Sequence, residues 1–220
     1  MIPYKTLDPS RRYPFGTILL VSVNIALFLY LFFLPEAASE RFVYQNAVIP
    51  SHFRHFSFSQ LSLDLLLTVF TAMFMHGGWM HLIGNMLYLW IFGENVEERM
   101  GSFRFLLFYL FCGIVATAAQ IAVNGTSKVP ILGASGAISG ILAAYLRLFP
   151  KGKIAVLVPI FVFLRSIVFP AWLVLGFWFG LQLLQAYWTR GQAGGGIAYF
   201  AHLGGFAAGF LLLPFFLKKK

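Results

Sequence analysis

A serine hydroxyl attacks a carbonyl carbon only when a neighbouring base takes its proton, and histidine is the base whose titration range suits neutral water. Ser135, set in Gly133-Ala134-Ser135-Gly136, and His202 offer such a pair. Acyl transfer also needs donors aimed at the developing oxyanion. His81 and Asn85, at i and i+4, share one helical face and could supply them. The amide of Ser135, at the head of an apolar helix, is a third donor that the helix dipole favours. The seven acidic residues are Asp8, Glu36, Glu40, Asp64, Glu94, Glu97 and Glu98, and none falls in an apolar segment near Ser135. The residues therefore imply a Ser–His dyad rather than a triad.

Each group also has a structural alternative. Ser135 could be one small residue in a Gly/Ala packing seam, His202 an interfacial histidine, and His81 with Asn85 an interhelical hydrogen-bonding pair. The soluble-hydrolase elbow G-x-S-x-G is absent, because Ala137 stands at the last glycine position. A metal site can be drawn from His76, His81 and His202, but His76 and His81 at i, i+5 do not stack on one face and HExxH is missing. No metal or cofactor is implied. The single cysteine, Cys112, lies in an apolar run and reads as a packing residue.

The elements that must bring these groups together are membrane spans. With 60% hydrophobic residues, 10% charged residues and a mean hydropathy of +0.81, the 220-residue chain has too little polar surface to cover a soluble globule. Its net charge of +9 does not point to nucleic acid, since the basic residues are scattered between apolar segments or grouped at the two ends.

Residues 1–14 form a short leader carrying Lys5, Arg11 and Arg12. Phe15–Leu34 reads as a first span, retained as an anchor although the small residues Ala37-Ala38-Ser39 follow it. Pro35–Asp64, with Phe53, Phe56 and Phe58, reads as a loop lying at the membrane interface, and Leu65–Met75 is apolar but too short to span. The second span runs from Trp79 to Phe92, and a polar turn from Gly93 to Arg104 follows it. Phe105–Val123 is the third span and Ile131–Phe149 the fourth; Ile154–Leu164, interrupted by Pro159, reads as interfacial. Ile167–Trp188 is the fifth, Thr189–Gly196 a glycine-rich loop, and Ile197–Leu217 the sixth, ahead of Lys218-Lys219-Lys220. The expected fold is all-α: a polytopic bundle of six transmembrane helices over residues 15–217, between a cytoplasmic leader (1–14) and a basic cytoplasmic tail (218–220).

Six spans put both termini on one side. On that side lie most of the 16 Lys and Arg residues, in the leader, at Arg99 and Arg104, at Arg147, Lys151, Lys153 and Arg165, and in the tail. Arg41, Arg54, Lys128 and Arg190 lie opposite, so the positive-inside rule places the termini in the cytoplasm. Ser135, His202, His81 and Asn85 then share one depth, a few residues below the outer surface. Ionisable groups inside spans are costly and default to functional roles. Gly136 and Gly140 on span four, with Gly205 and Gly209 on span six, allow the close backbone approach that would bring Ser135 to His202.

Three segments, HGGWMHLIGNMLYLWIFGENVEERMG (76–101), GASGAISG (133–140) and AHLGGFAAG (201–209), occur in an order that resembles the rhomboid intramembrane serine proteases. The resemblance covers roughly residues 64 to 215. It implies that Ser135 is the nucleophile and His202 the general base and acid, and that Asn85, His81 and the Ser135 amide form the oxyanion hole. It further implies that Gly133 permits the tight loop before the serine, and that His76 and Glu97 are structural, organising the first loop and the turn after span two. The substrate class implied is a single-span membrane protein whose helix unwinds near its outer end. Two positions depart from many members: Leu67 and Thr68 stand where a Trp-Arg pair is common, and Ser139 stands where an aromatic ring can stack on the histidine. The second departure leaves the group that orients His202 unnamed.

The Gly191–Gly196 loop reads either as a mobile cap over Ser135 or as a plain connector, and the fifth span, with Phe177, Trp178 and Phe179, as the border of a substrate entrance. Competing readings are a non-catalytic rhomboid-like binder of client helices and a small transporter, whose polar groups would lie nearer mid-membrane. The expected setting is a bacterial cell membrane.

Overall fold

In a bilayer every backbone polar group must find its partner within the protein, so apolar runs become helices. The computed structural model describes residues 2–8, 10–53, 62–161, 163–189 and 197–218. Its helices are α1 (Phe15–Phe33), α2 (Glu36–Asn46), α3 (Leu63–Thr71), α4 (Trp79–Met100), α5 (Ser102–Asn124), α6 (Ser135–Leu148), α7 (Ala171–Thr189) and α8 (Tyr199–Phe216). Among the described residues three helices, α1, α5 and α8, are long and apolar enough to cross a membrane. The number rises to four if α3 with its following 3-10 turn (Ala72–Phe74) and α4, which meet at 81°, are one broken span. By length and composition this is fewer than the six spans expected.

The core is organised around α6. Every residue from Gly136 to Tyr145 is buried, ringed by Leu89 and Phe92 of α4, Phe108, Tyr109 and Cys112 of α5, Leu175 of α7 and Phe206 and Leu213 of α8. A helix without an exposed stripe is a central one. Cys112 is a packing residue there, its Sγ set against Gly140.

The all-α expectation is corrected by a three-stranded antiparallel sheet in the order β1-β2-β3, with β1 at Ile2–Thr6, β2 at Lys153–Ile160 and β3 at Phe163–Pro170. The segment read as interfacial, Ile154–Leu164, supplies β2 and the start of β3. Their register runs from Lys153 opposite Pro170 to Ile160 opposite Phe163. Ile154, Val156, Val158 and Ile160 alternate onto one face, where β-branched residues suit a strand, and Ile154 and Val156 are fully buried against the bundle. Pro159 is tolerated because β1 reaches only to Leu157, so beyond that point β2 has a free edge that needs no N–H. The leader, too small to fold alone, gains order by adding β1 to this hairpin, with the Leu7 amide donating to the Lys153 carbonyl at 2.8 Å.

Other boundaries also move. The loop expected over Pro35–Asp64 contains α2 and a 3-10 turn at Pro50–Phe53; residues 54–61 lie outside the described residues. The second helix does not stop at Phe92. It carries Glu94, Glu97, Glu98 and Arg99 in helical conformation to Met100 and turns at Gly101, whose φ of 82° suits glycine. The fourth helix begins at Ser135 rather than Ile131, because Ile131 forms a β-bridge with Val48. The fifth begins at Ala171, since Ile167 belongs to β3.

Candidate active site

Ser135 is the first residue of α6 and His202 lies in the first turn of α8. Their placement follows from the glycines. A Cβ at Gly205 would fall on the Gly136 carbonyl, and one at Gly209 on the Gly140 carbonyl, so α6 and α8 touch backbone to backbone. His202 Nε2 stands 2.8 Å from Ser135 Oγ. The imidazole is 8% exposed and Ser135 is half-buried. At 14 residues α6 rises only about 21 Å, less than the roughly 30 Å of a bilayer's hydrocarbon core.

The other ring nitrogen of His202 meets a group on α7. Gln182 Oε1 lies 2.7 Å from His202 Nδ1. One turn earlier on the same face, the Trp178 ring lies 6.1 Å from the imidazole at 33°, and Tyr199 meets it edge-on at 6.3 Å. Ser139 makes no stacking contact; its hydroxyl donates to the Ser135 carbonyl at 2.7 Å. The start of α8 is fixed by Gln120 of α5, whose side-chain oxygen accepts from the Ala201 amide at 3.0 Å. Sequence reasoning did not single out Gln182 or Gln120. The signal was there, since an amide side chain within an apolar segment must find a partner.

His81 and Asn85 sit together on α4 beside the loop that leads to Ser135. Gly133 has φ of 127°, where other residues are strained, and a Cβ there would strike the His81 ring at 2.7 Å. The Gly77 amide makes a long contact, 3.5 Å, to His81 Nδ1, which leaves Nε2 as the nitrogen carrying hydrogen. Asn85 is 8% exposed and its Nδ2 has no hydrogen-bond partner among the described residues. A buried donor without a partner is costly, which makes it a candidate to meet a ligand. His76 is buried, with both ring nitrogens lacking such partners, and packs edge-on against His81 at 5.1 Å.

Glu97 lies at the far end of α4. Its carboxylate accepts from the Gly16 amide at 2.7 Å, the Thr17 amide and hydroxyl at 2.8 Å each, and the Ser102 hydroxyl at 2.6 Å. Helix α1 enters from Pro14 with no side-chain cap of its own, so Glu97 satisfies its orphan amides from outside. The Gly191–Gly196 loop lies outside the described residues.

Residues 64–219 match the Rhomboid domain family. The chain is 44% identical over 73 residues, 33% of its length, to Rhomboid-like protein 11, chloroplastic, of Arabidopsis thaliana, covering 26% of that protein. It is 31% identical over 113 residues to Presenilin-associated rhomboid-like protein, mitochondrial, of Homo sapiens, which is 50% of this chain and 30% of that protein. With Rhomboid protein 1, mitochondrial, of Saccharomyces cerevisiae it shares 32% identity over 155 residues, 66% of this chain and 40% of the relative. The matched stretches thus cover 40% or less of these relatives' own lengths. Because the family match spans more than half of the chain and takes in α4, α6 and α8, which carry the serine, the histidines and the asparagine, the chain belongs to the rhomboid family.

Proposed function

We propose that this protein is an intramembrane serine endopeptidase that hydrolyses peptide bonds in or near the transmembrane segments of other membrane proteins. The observation that carries the reading is the 2.8 Å approach of His202 Nε2 to Ser135 Oγ at the head of a short, fully packed helix. Ser135 is the nucleophile. As its Oγ attacks the scissile carbonyl carbon, His202 Nε2 takes the hydroxyl proton, and the carbonyl oxygen becomes an oxyanion. Asn85 Nδ2, His81 Nε2–H and the Ser135 amide are the donors that meet it. Collapse of the tetrahedral adduct breaks the C–N bond, and the imidazolium returns its proton to the leaving amine. Water, deprotonated by His202, then releases the acyl group from Ser135. His76 and Glu97 take no part in these steps and hold the scaffold.

A membrane helix hides its backbone while its own hydrogen bonds are made, so the substrate must unwind where it meets Ser135. We assign the six spans to α1, α4, α5, α6, α7 and α8. The termini lie on the cytoplasmic side of a bacterial cell membrane and Ser135 toward the outer side, a threading supported by the distribution of Lys and Arg. Exposed Trp172 near one end of α7 and exposed Tyr187 and Trp188 near the other fit the two interfaces. Phe177, Trp178 and Phe179 lie on α7, which meets His202 through Gln182 and would border the substrate entrance.

The test is cleavage of a tagged single-span substrate by the purified protein in liposomes, with Ser135→Ala and His202→Ala as comparisons. Both folded variants should lose cleavage and labelling by a fluorophosphonate. Cleavage that survives in Ser135→Ala would refute the assignment. Binding of the substrate without cleavage by the wild type would favour a client-binding role instead.

A further inference from the structure

The seven acidic residues supply no carboxylate to this site, so a dyad stood as the whole catalytic set. A neutral side chain occupies the place a third member would take. We propose that Gln182 is the positioning residue of the site: its Oε1 accepts the Nδ1–H of His202 and so leaves Nε2 as the bare nitrogen that faces the Ser135 hydroxyl. The inference rests on the proteolytic reading above and concerns how the base is kept in its working form.

The geometry decides the tautomer. An amide oxygen can only accept, so an Oε1 that lies 2.7 Å from Nδ1 requires the ring hydrogen on Nδ1. Neutral imidazole has one hydrogen-bearing nitrogen, and with Nδ1 occupied the lone pair is on Nε2, 2.8 Å from Ser135 Oγ. The opposite orientation of the amide would set its NH2 group against Nδ1, and the hydrogen would then sit on Nε2, where the ring could not take a proton from serine. The orientation needed for a base is therefore the one in which Gln182 accepts.

The ring plane is restrained as well. Trp178 and Gln182, at i and i+4, come from one face of α7, while Tyr199 closes the side of α8. The indole fixes the tilt and the amide fixes rotation about the Cβ–Cγ bond. An aromatic ring one turn after the serine is replaced here by Ser139, and α7 provides the restraint instead. Glutamine does this without adding a second charge to a site where His202 is 8% exposed, and a carboxylate would be costly to desolvate there. Its dipole still stabilises the imidazolium that forms when Ser135 gives up its proton, more weakly than a carboxylate would.

The experiment compares Gln182→Leu and Gln182→Glu with the wild type in liposomes. It reads kcat and KM for a single-span substrate, and the 15N and 1H resonances of a histidine-labelled protein. Gln182→Leu fills the same space without an acceptor. Its kcat should fall on the order of 10- to 100-fold with KM unchanged, less than the ~10⁴-fold lost when the triad aspartate of a soluble serine protease is neutralised. Its downfield Nδ1–H resonance should also disappear. Gln182→Glu keeps the acceptor and should restore kcat, with the acid limb of the rate profile moved to higher pH. His81 and Tyr199, the titratable groups near the ring, are the same in all three proteins, so the move reports the charge at position 182. A Gln182→Leu protein with wild-type kcat, or with the Nδ1–H resonance intact, overturns the proposal alone. A wild-type protein that shows the resonance yet cleaves nothing overturns the proteolytic reading, and the catalytic meaning of the hydrogen bond with it.

Discussion

The carbonyl oxygen of Gly136 on α6 occupies the volume into which any side chain at Gly205 on α8 would have to grow. The same relation recurs one turn on between Gly140 and Gly209, so the two helices lock over a full turn. Ser135 and His202 sit at the open end of this seam, and their 2.8 Å separation depends on it. Gly205→Ala should push α8 outward by a fraction of an ångström or more. We expect about 1–3 kcal/mol of destabilisation from the overpacking. Cleavage should fall by more than about tenfold, since a 1 Å misplacement can cost about a hundredfold. Thermal unfolding in detergent and kcat on a model substrate measure the two effects. A Gly205→Val protein as stable and active as wild type would remove the seam from the account.

Asn85 should behave in the opposite sense for stability. Its buried Nδ2 lacks a partner among the described residues, so Asn85→Ala removes an unsatisfied donor, and the folded protein should melt no lower than wild type. If the donor serves the oxyanion, kcat should drop roughly 10²- to 10³-fold with KM little changed. A loss of stability equal to that of an ordinary core truncation, with kcat retained, would mean that Asn85 is an interhelical packing group.

What could be read from the residues and what could not divides along range. The meeting of Ser135 with His202 and of Gly136 with Gly205 was legible because polar groups and paired glycines stand out against an apolar background. Gln182 was not singled out, because nothing local says which ring a glutamine will meet from another helix. The hairpin was missed because Ile154–Leu164 is an apolar run of ambiguous period, and its partner β1 comes from the distant leader. The continuation of α4 past Phe92 was hidden by charge. Glu97 looks like a turn residue until its four donors, on α1 and at the start of α5, are known.

Glu97→Ala would strand the Gly16 and Thr17 amides at the buried entrance of α1. The expected cost is about 2 kcal/mol or more, seen as a lower midpoint of thermal unfolding. Because Glu97 lies at the opposite end of α4 from His81, kcat per active site, counted by fluorophosphonate labelling, should hardly change at a temperature where the variant is folded. An equal melting point would show that water caps α1 as well as the carboxylate does.

Asn95 ties the leader to the bundle. It is 2% exposed, its Oδ1 accepts from Thr6 Oγ1 at 3.1 Å, and its Nδ2 donates to the Asp8 carbonyl at 2.5 Å. Asn95→Ala removes both bonds and leaves β1 held by its backbone pairing with β2 and by the hydrogen bonds of Tyr4 with Ser166 and of Tyr145 with Asp8. Hydrogen exchange then separates two layers of one sheet. Amides of β2 that pair with β1, around Ala155 and Leu157, should lose protection, while those that pair with β3 keep it. Cleavage should persist, because the sheet and Ser135 lie at opposite ends of α6, with Tyr145 bonding Asp8 at one end and Ser135 opening the other. Protection lost across the whole hairpin would mean instead that β1 is required for β2 and β3 to pair, and that the leader templates the sheet.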